Sequence, residues 1–229
     1  MKDEIEKQNA ELIREMRVEP VRFGEYSIEI DLTDDRIVCG DKLNFLSARD
    51  SKLFQSVSLC YSEFVAKVAN GLHIEIGNGL RIDSLQNVAQ QTKGFFEKKF
   101  MGDTVAFGAS DVDAQLFEFD LRKETTNTES RILWHDFGAI TDNAFVLINS
   151  RFDAFLTVQY YLLKATDYEP NLSREEAARR ALDPSYAQAD EFRWQNLIEQ
   201  LYRLFDPAVL PPKYDYYGSA QPLFSIPKA

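Results

Sequence analysis

The chain is short of the residue types that usually build a reactive centre. Its 229 residues include two cysteines and two histidines. Cys39 and Cys60 stand in unrelated contexts, which favours two buried thiols over a disulfide and fits a reducing compartment. His73 and His135 have neither a helical His-Glu-x-x-His partner nor a Cys-x-x-Cys neighbour, so no metal or other cofactor is expected. No phosphate-binding loop is present, and no apolar run approaches the roughly 20 residues that span a bilayer. The N-terminal stretch MKDEIEKQNAELIREMR is highly charged and lacks an apolar core, so it does not read as a secretory signal. Positive charge is scarce as well: 26 Lys and Arg face 37 Asp and Glu, a net charge of −11. A field of that sign repels nucleic acid and anionic membrane and speeds encounter with basic partners, although acidity can also serve solubility alone. A cytoplasmic protein is the expectation.

What is present is ordinary globular material, 45% apolar and 28% charged. Residues 3–17 read as a helix with a narrow stripe of Ile5, Leu12, Ile13 and Met16, suited to lying on the protein's own surface. In residues 21–32 Tyr26, Ile28, Ile30 and Leu32 alternate with polar neighbours. Asp34-Asp35 then marks a turn and 36–39 a return strand, together a hairpin. A strong amphipathic helix follows over 51–69, with Phe54, Val57, Tyr61, Phe64, Val65 and Val68 on one face and Asn70-Gly71 as its stop. Strands at 72–76 and 80–82 flank the turn signal Gly77-Asn78-Gly79. Ser84 is a suitable cap for a helix burying Leu85, Val88, Ala89, Phe95, Phe96 and Phe100.

Three strand-like runs then succeed one another at 104–109, 114–121 and 131–137. In the middle run Phe117, Phe119 and Leu121 face one way, while Leu116, Glu118 and Asp120 face the other. That alternation predicts an antiparallel sheet with one covered face and one open, partly polar face. A helix over 149–166 carries Phe152, Phe155, Leu156 and Leu163 inward. Pro170 and Pro184 bracket a short helix over 174–182 capped by Ser173. A longer helix over 187–205 has a wide apolar arc. The tail from Asp206 is rich in proline and tyrosine and reads as extended chain. The fold class is α+β: a mainly antiparallel sheet with helices on one face and a C-terminal helical extension. The expected parts are 1–49, a helix and hairpin packed on the core; 50–166, the α+β core; 167–205, the helical extension; and 206–229, the tail.

Candidate chemistry is sparse. Trp134–Gly138 contains Asp-Phe-Gly, whose aspartate binds magnesium in protein kinases. The glycine-rich loop, strand lysine and His-Arg-Asp loop that should precede it are missing, so a strand ending in a turn is the better reading. His135 and Asp136 are adjacent on a strand and point to opposite faces. The run Ser110-Asp111-Val112-Asp113 lacks the spacing of a calcium loop and reads as a turn. One pattern stands out between 103 and 142. Asp103, Asp111, Asp113, Glu118, Asp120, Glu124, Glu129, Asp136 and Asp142 face only Arg122, Lys123 and Arg131. Acids crowded together repel, so a cationic partner and a plain solvated face are both open readings.

Several local patterns carry a family resemblance. Tyr61-Ser62-Glu63-Phe64-Val65 followed by Asn70-Gly71, Gly102-Asp103-Thr104 leading into strands, the aromatic-rich Ile132–Asp136, and Ser150-Arg151-Phe152-Asp153-Ala154-Phe155-Leu156 opening a helix occur in that order. In this the chain resembles the SUKH superfamily, an α+β fold of bacterial toxin-immunity proteins, fungal regulators of cell-wall synthesis and some viral proteins. The resemblance covers about residues 50–165. The usual proline before the tyrosine is absent, and Phe64 to Asn70 is one residue longer than the common form. These motifs mark packing and caps, hence fold more than function.

The resemblance implies a non-catalytic protein that binds and neutralises a cognate toxin, with no cofactor. The acidic charge suits a basic, nucleic-acid-cleaving toxin. Asp111, Asp113, Glu118, Asp120 and Asp136 are the expected partner-binding residues. Two other readings stand beside it: a regulatory or scaffold module that docks through its last helix and tail, and a hydrolase or metal-dependent enzyme using Asp136, His135 and Asp113.

Overall fold

A computed structural model describes residues 2–39, 58–68, 74–77, 80–82, 104–110, 115–120, 129–135, 145–168 and 173–212. The chain divides into two compact units. A sheet unit comprises Glu19–Leu156, and a helical unit joins Met1–Val18 to Thr157–Ala229.

The sheet unit starts with a short hairpin, β1 (Val21–Phe23) and β2 (Tyr26–Ile28), paired Val21↔Ile28 and Phe23↔Tyr26. Gly24 makes this turn with φ +57°, a conformation that side chains with a Cβ disfavour. The expected hairpin between 21–32 and 36–39 is therefore corrected. The chain already turns at Gly24, and β3 (Ile37–Cys39) pairs with β4 (Ile74–Ile76). The Asp34 turn does form: its carboxylate accepts from the Arg36 amide at 3.1 Å and from the guanidinium at 2.9 and 2.8 Å. It aims the chain into the larger sheet. Tyr26, Ile28 and Ile30 alternate inward as the sequence predicts, while Leu32 is exposed.

The main sheet is a seven-stranded antiparallel meander in chain order, from β3 and β4 through β5 (Leu80–Ile82), β6 (Thr104–Ser110), β7 (Gln115–Asp120) and β8 (Ile132–His135) to β9 (Phe145–Asn149). It confirms the α+β class. A row of partners crosses it from Ile74 through Ile82, Gly108, Phe117 and Trp134 to Val146. The ladder shifts between Ala106 and Gly108, leaving Phe107 as the extra residue of a bulge.

Against this face lie α2 (Leu59–Val68) and the start of α3 (Phe152–Ala165). Phe107 stacks on Phe119 with ring centres 4.2 Å apart. Tyr61 meets Phe119 at 5.4 Å and Phe152 at 5.3 Å, both edge-on, and Phe155 packs on Phe107 at 5.6 Å and Phe117 at 5.0 Å. Each such pair contributes about 0.5–1.5 kcal/mol beyond the area it buries. The motif tyrosine and the two motif phenylalanines of α3 thus occupy one aromatic core. Within the described residues α2 begins at Leu59, later than the predicted 51. The predicted helix over 85–100 lies outside the described residues.

The helical unit contains α1 (Lys2–Glu15), the rest of α3 with its short 3-10 extension Thr166–Tyr168, α4 (Arg174–Ala181) and α5 (Pro184–Phe205). Ser173 caps α4 in a full capping box with Glu176. Asp183 caps α5 by accepting from the Ser185 amide, and Pro184 occupies its first position. Pro184 therefore opens this helix where the sequence reading made it only a break, because the first turn needs no amide donor there. Along α5, Trp194, Leu197, Ile198, Leu201 and Tyr202 are buried.

Helix α1 runs beside α5 in the same direction. Lys2 lies over the Phe192 ring and Arg17 over the Phe205 ring. Between these ends, Ile13 and Met16 are buried and the Asn9 amide donates to the Arg193 carbonyl at 2.8 Å and to Asn196 Oδ1 at 2.9 Å. Gln200 donates to the same Asn196 oxygen and to the Glu6 carbonyl. The narrow apolar stripe of α1 is thus completed by a buried amide network, which fixes its register on α5.

Candidate functional site

The five acids expected to touch a partner separate into two groups. Asp111, Asp113 and Asp136 lie outside the described residues. Glu118 and Asp120 lie on β7 and are only 6% and 3% exposed. Glu118 stands in register between Ala106 of β6 and Leu133 of β8. Asp120 stands opposite Thr104, and its carboxylate accepts from Arg131 Nη2 at 2.8 Å while its amide donates to the Arg131 carbonyl. The open acidic face expected at β7 is therefore corrected. Alternation separates the two faces of a strand, but whether the second face is covered depends on distant chain. Asp120 is a ladder residue whose charge Arg131 balances from a half-exposed position.

Three described strands end next to the other three acids in the sequence. Ser110, the last residue of β6, pairs with Gln115, the first of β7; the next residue, Leu116, pairs with His135, the last of β8. Asp111 directly follows Ser110, Asp113 belongs to the same connection, and Asp136 directly follows His135.

A second cluster escaped the sequence reading. Residues Ser58 and Glu129 form an isolated antiparallel bridge at the start of α2. The Ser58 hydroxyl accepts from the Tyr61 amide at 3.1 Å, which caps the helix, and donates to Glu129 Oε2 at 2.7 Å. Glu129 Oε1 accepts from the Cys60 amide at 2.8 Å. A carboxylate on a helix N-terminus is favourable, since the exposed amides and the helix dipole both attract it. Here, however, Glu129 is 9% exposed, and burial pushes its pKa above the ordinary carboxylate range. Hydrogen bonds from Ser58 and the Cys60 amide pull it back down, the nearby Tyr26 hydroxyl acts in the same direction, and the charge of Asp153 adds to the rise.

Asp153, itself buried, is paired with Arg151 at 3.1 Å. The Cys60 thiol is free and fully buried; burial, Asp153 and Glu129 push its pKa far above the usual thiol range and favour the neutral thiol. The signal for this corner is faint in the sequence: Ser58 precedes an apolar helix, but its acid lies 71 residues away.

Among the described residues, no group of three or more His, Cys, Asp or Glu is placed to hold a metal ion. No described helix is long and apolar enough to cross a membrane. The chain matches no protein-family model, no curated protein and no solved structure.

Proposed function

We propose that the protein is a non-catalytic binding protein that neutralises a cognate toxin in the cytoplasm, in the manner the SUKH resemblance implies. The observation that carries this reading is the charge balance: the net charge is −11, and Asp111, Asp113 and Asp136 belong to an acidic stretch between 103 and 142. Three carboxylates in an acidic stretch of sequence suit a basic surface, and the net charge of −11 favours encounter with one. A basic nuclease toxin has that chemistry, since acids can occupy the positions its phosphates would take. Glu118 and Asp120, being buried, support the strands on this reading and do not touch the partner.

The test is co-expression with the product of the neighbouring toxin gene. Co-purification and rescue of growth are expected; a pair that does neither ends the proposal. Replacing Asp111, Asp113 and Asp136 together by lysine should slow association and flatten its dependence on salt, with little change in melting temperature. Unchanged association kinetics in a folded variant would remove these residues from the interface.

A further inference from the structure

We infer that Glu129 is a proton-operated latch, in which one carboxyl group ties the chain entering β8 to the first turn of α2 and its protonation sets how firmly that corner stays closed. The geometry is that of a clasp. Both oxygens of one side chain engage the helix start, Oε2 at the Ser58 hydroxyl and Oε1 at the Cys60 amide, and the backbones bridge at the same residues. Ser58 in turn holds the Tyr61 amide, so the clasp and the helix cap share an atom. Tyr61 is the centre of the aromatic core.

The groups that face Glu129 come from every element at this corner: Ser58 and Cys60 from α2, Tyr26 from β2, and Asp153, with Arg151 beside it, from the start of α3. Among the described residues the donors to Glu129 are all neutral, whereas Asp153 has a guanidinium of its own. Ionising Glu129 therefore places a second buried negative charge near Asp153, with no cation paired to it among the described residues.

The sign follows from burial. A carboxyl group whose pKa is raised in the closed state stabilises that state fully below its ordinary pKa. The stabilisation is lost as pH rises through the raised value. The latch is firm below the ordinary carboxyl range and loosens as pH rises above it. Cys60 stays a neutral thiol throughout and does not contribute to the change.

The experiment is hydrogen exchange of the Cys60 and Tyr61 amides between about pH 5 and 8, expressed as protection factors so that intrinsic exchange is divided out. In the native chain protection should fall by up to roughly tenfold per pH unit above the ordinary carboxyl range, then level off. Amides of α5 should remain flat. A flat profile at Cys60, or an equal slope in α5, overturns the local latch. Glu129→Gln keeps an acceptor for the Cys60 amide and removes the charge; its profile should be flat and its protection at the upper end at least that of the native chain. A retained slope overturns the assignment to Glu129. Should that variant not fold, Asp153→Asn in the native background must move the decline to lower pH, and an unmoved profile overturns it equally.

Discussion

A Cβ placed on Gly108 would stand 2.7 Å from the Arg81 carbonyl oxygen. That carbonyl belongs to β5, whose Arg81 and Ile82 lie beside Ala109 and Gly108 of β6. The two backbones approach closely at the bulge that turns Phe107 into the core, and the missing side chain is the space they use. Alanine at 108 is expected to cost about 1–3 kcal/mol of stability, because a backbone and not a side chain must yield.

Gly24 gives the contrasting case. Its nearest obstacle is Glu63 Oε2 at 3.6 Å, ordinary contact, but its φ is +57°. Here conformation is the obstacle, and Gly24→Ala should cost about 1–2 kcal/mol. Asparagine separates the mechanisms. It tolerates the left-handed region, so Gly24→Asn should be milder than Gly24→Ala, whereas Gly108→Asn should be at least as damaging as Gly108→Ala. Urea denaturation of the four variants checks both orders; reversal at either site removes its explanation.

Tyr61 is fully buried and touches Phe107, Phe119 and Phe152. Truncation to alanine should destabilise the sheet unit by about 3–5 kcal/mol, through lost burial and the cavity left behind. Leucine should recover part of this loss. A change under about 1 kcal/mol for alanine in calorimetry would show that the aromatic core is not assembled as described.

The amides of Asn9 and Asn196 face each other in a buried setting. Removing either one should cost about 1–3 kcal/mol, since the survivor keeps its desolvation and loses its partner. Replacing both by leucine should be close to neutral. A double-mutant cycle on thermal unfolding measures the difference, and strictly additive losses would argue against the α1–α5 register reported above.

At the start of α4 the Ser173 hydroxyl and amide both bond the Glu176 carboxylate, which holds its pKa below the ordinary value. A depressed carboxyl pKa gives stability that is present above the unfolded value and fades as pH falls through the folded one. Ser173→Ala should move the Glu176 titration upward in an NMR pH series and shift fraying of α4 to higher pH. An unmoved titration would show that the hydroxyl contributes nothing.

Local periodicity made much of the fold legible. The alternation in 115–120 identifies Phe117 and Phe119 as core, and Gly77 with φ +61° makes the predicted turn between β4 and β5. The helices at 2–15, 174–181 and 184–205 agree with their apolar stripes and caps to within a few residues. Pairing choices were not legible. Residues 36–39 carry strand chemistry without saying that their partner lies at 74–76, and local pattern alone points to the nearer run at 21–32. Strand β9, Phe145–Asn149, is a short apolar run without alternation, and no strand is expected there from the sequence. The burial of Glu118 and the Ser58–Glu129 clasp both depend on chain far away in sequence, where no local pattern can register them.

The amide contact between Asn9 and Asn196 spans 187 positions of sequence, so it also has a meaning in time. During synthesis α1 leaves the ribosome well before the helix it packs on. At about 5–20 residues per second the wait is on the order of ten to forty seconds. Throughout that interval Asn9, Ile13 and Met16 have no α5 to bury against, while the described strands of the sheet unit, which lie between the two helices in sequence, are made. Docking of the first segment is therefore a late step in the birth of the molecule, and any truncation that removes α5 strands α1 permanently in its unpaired state.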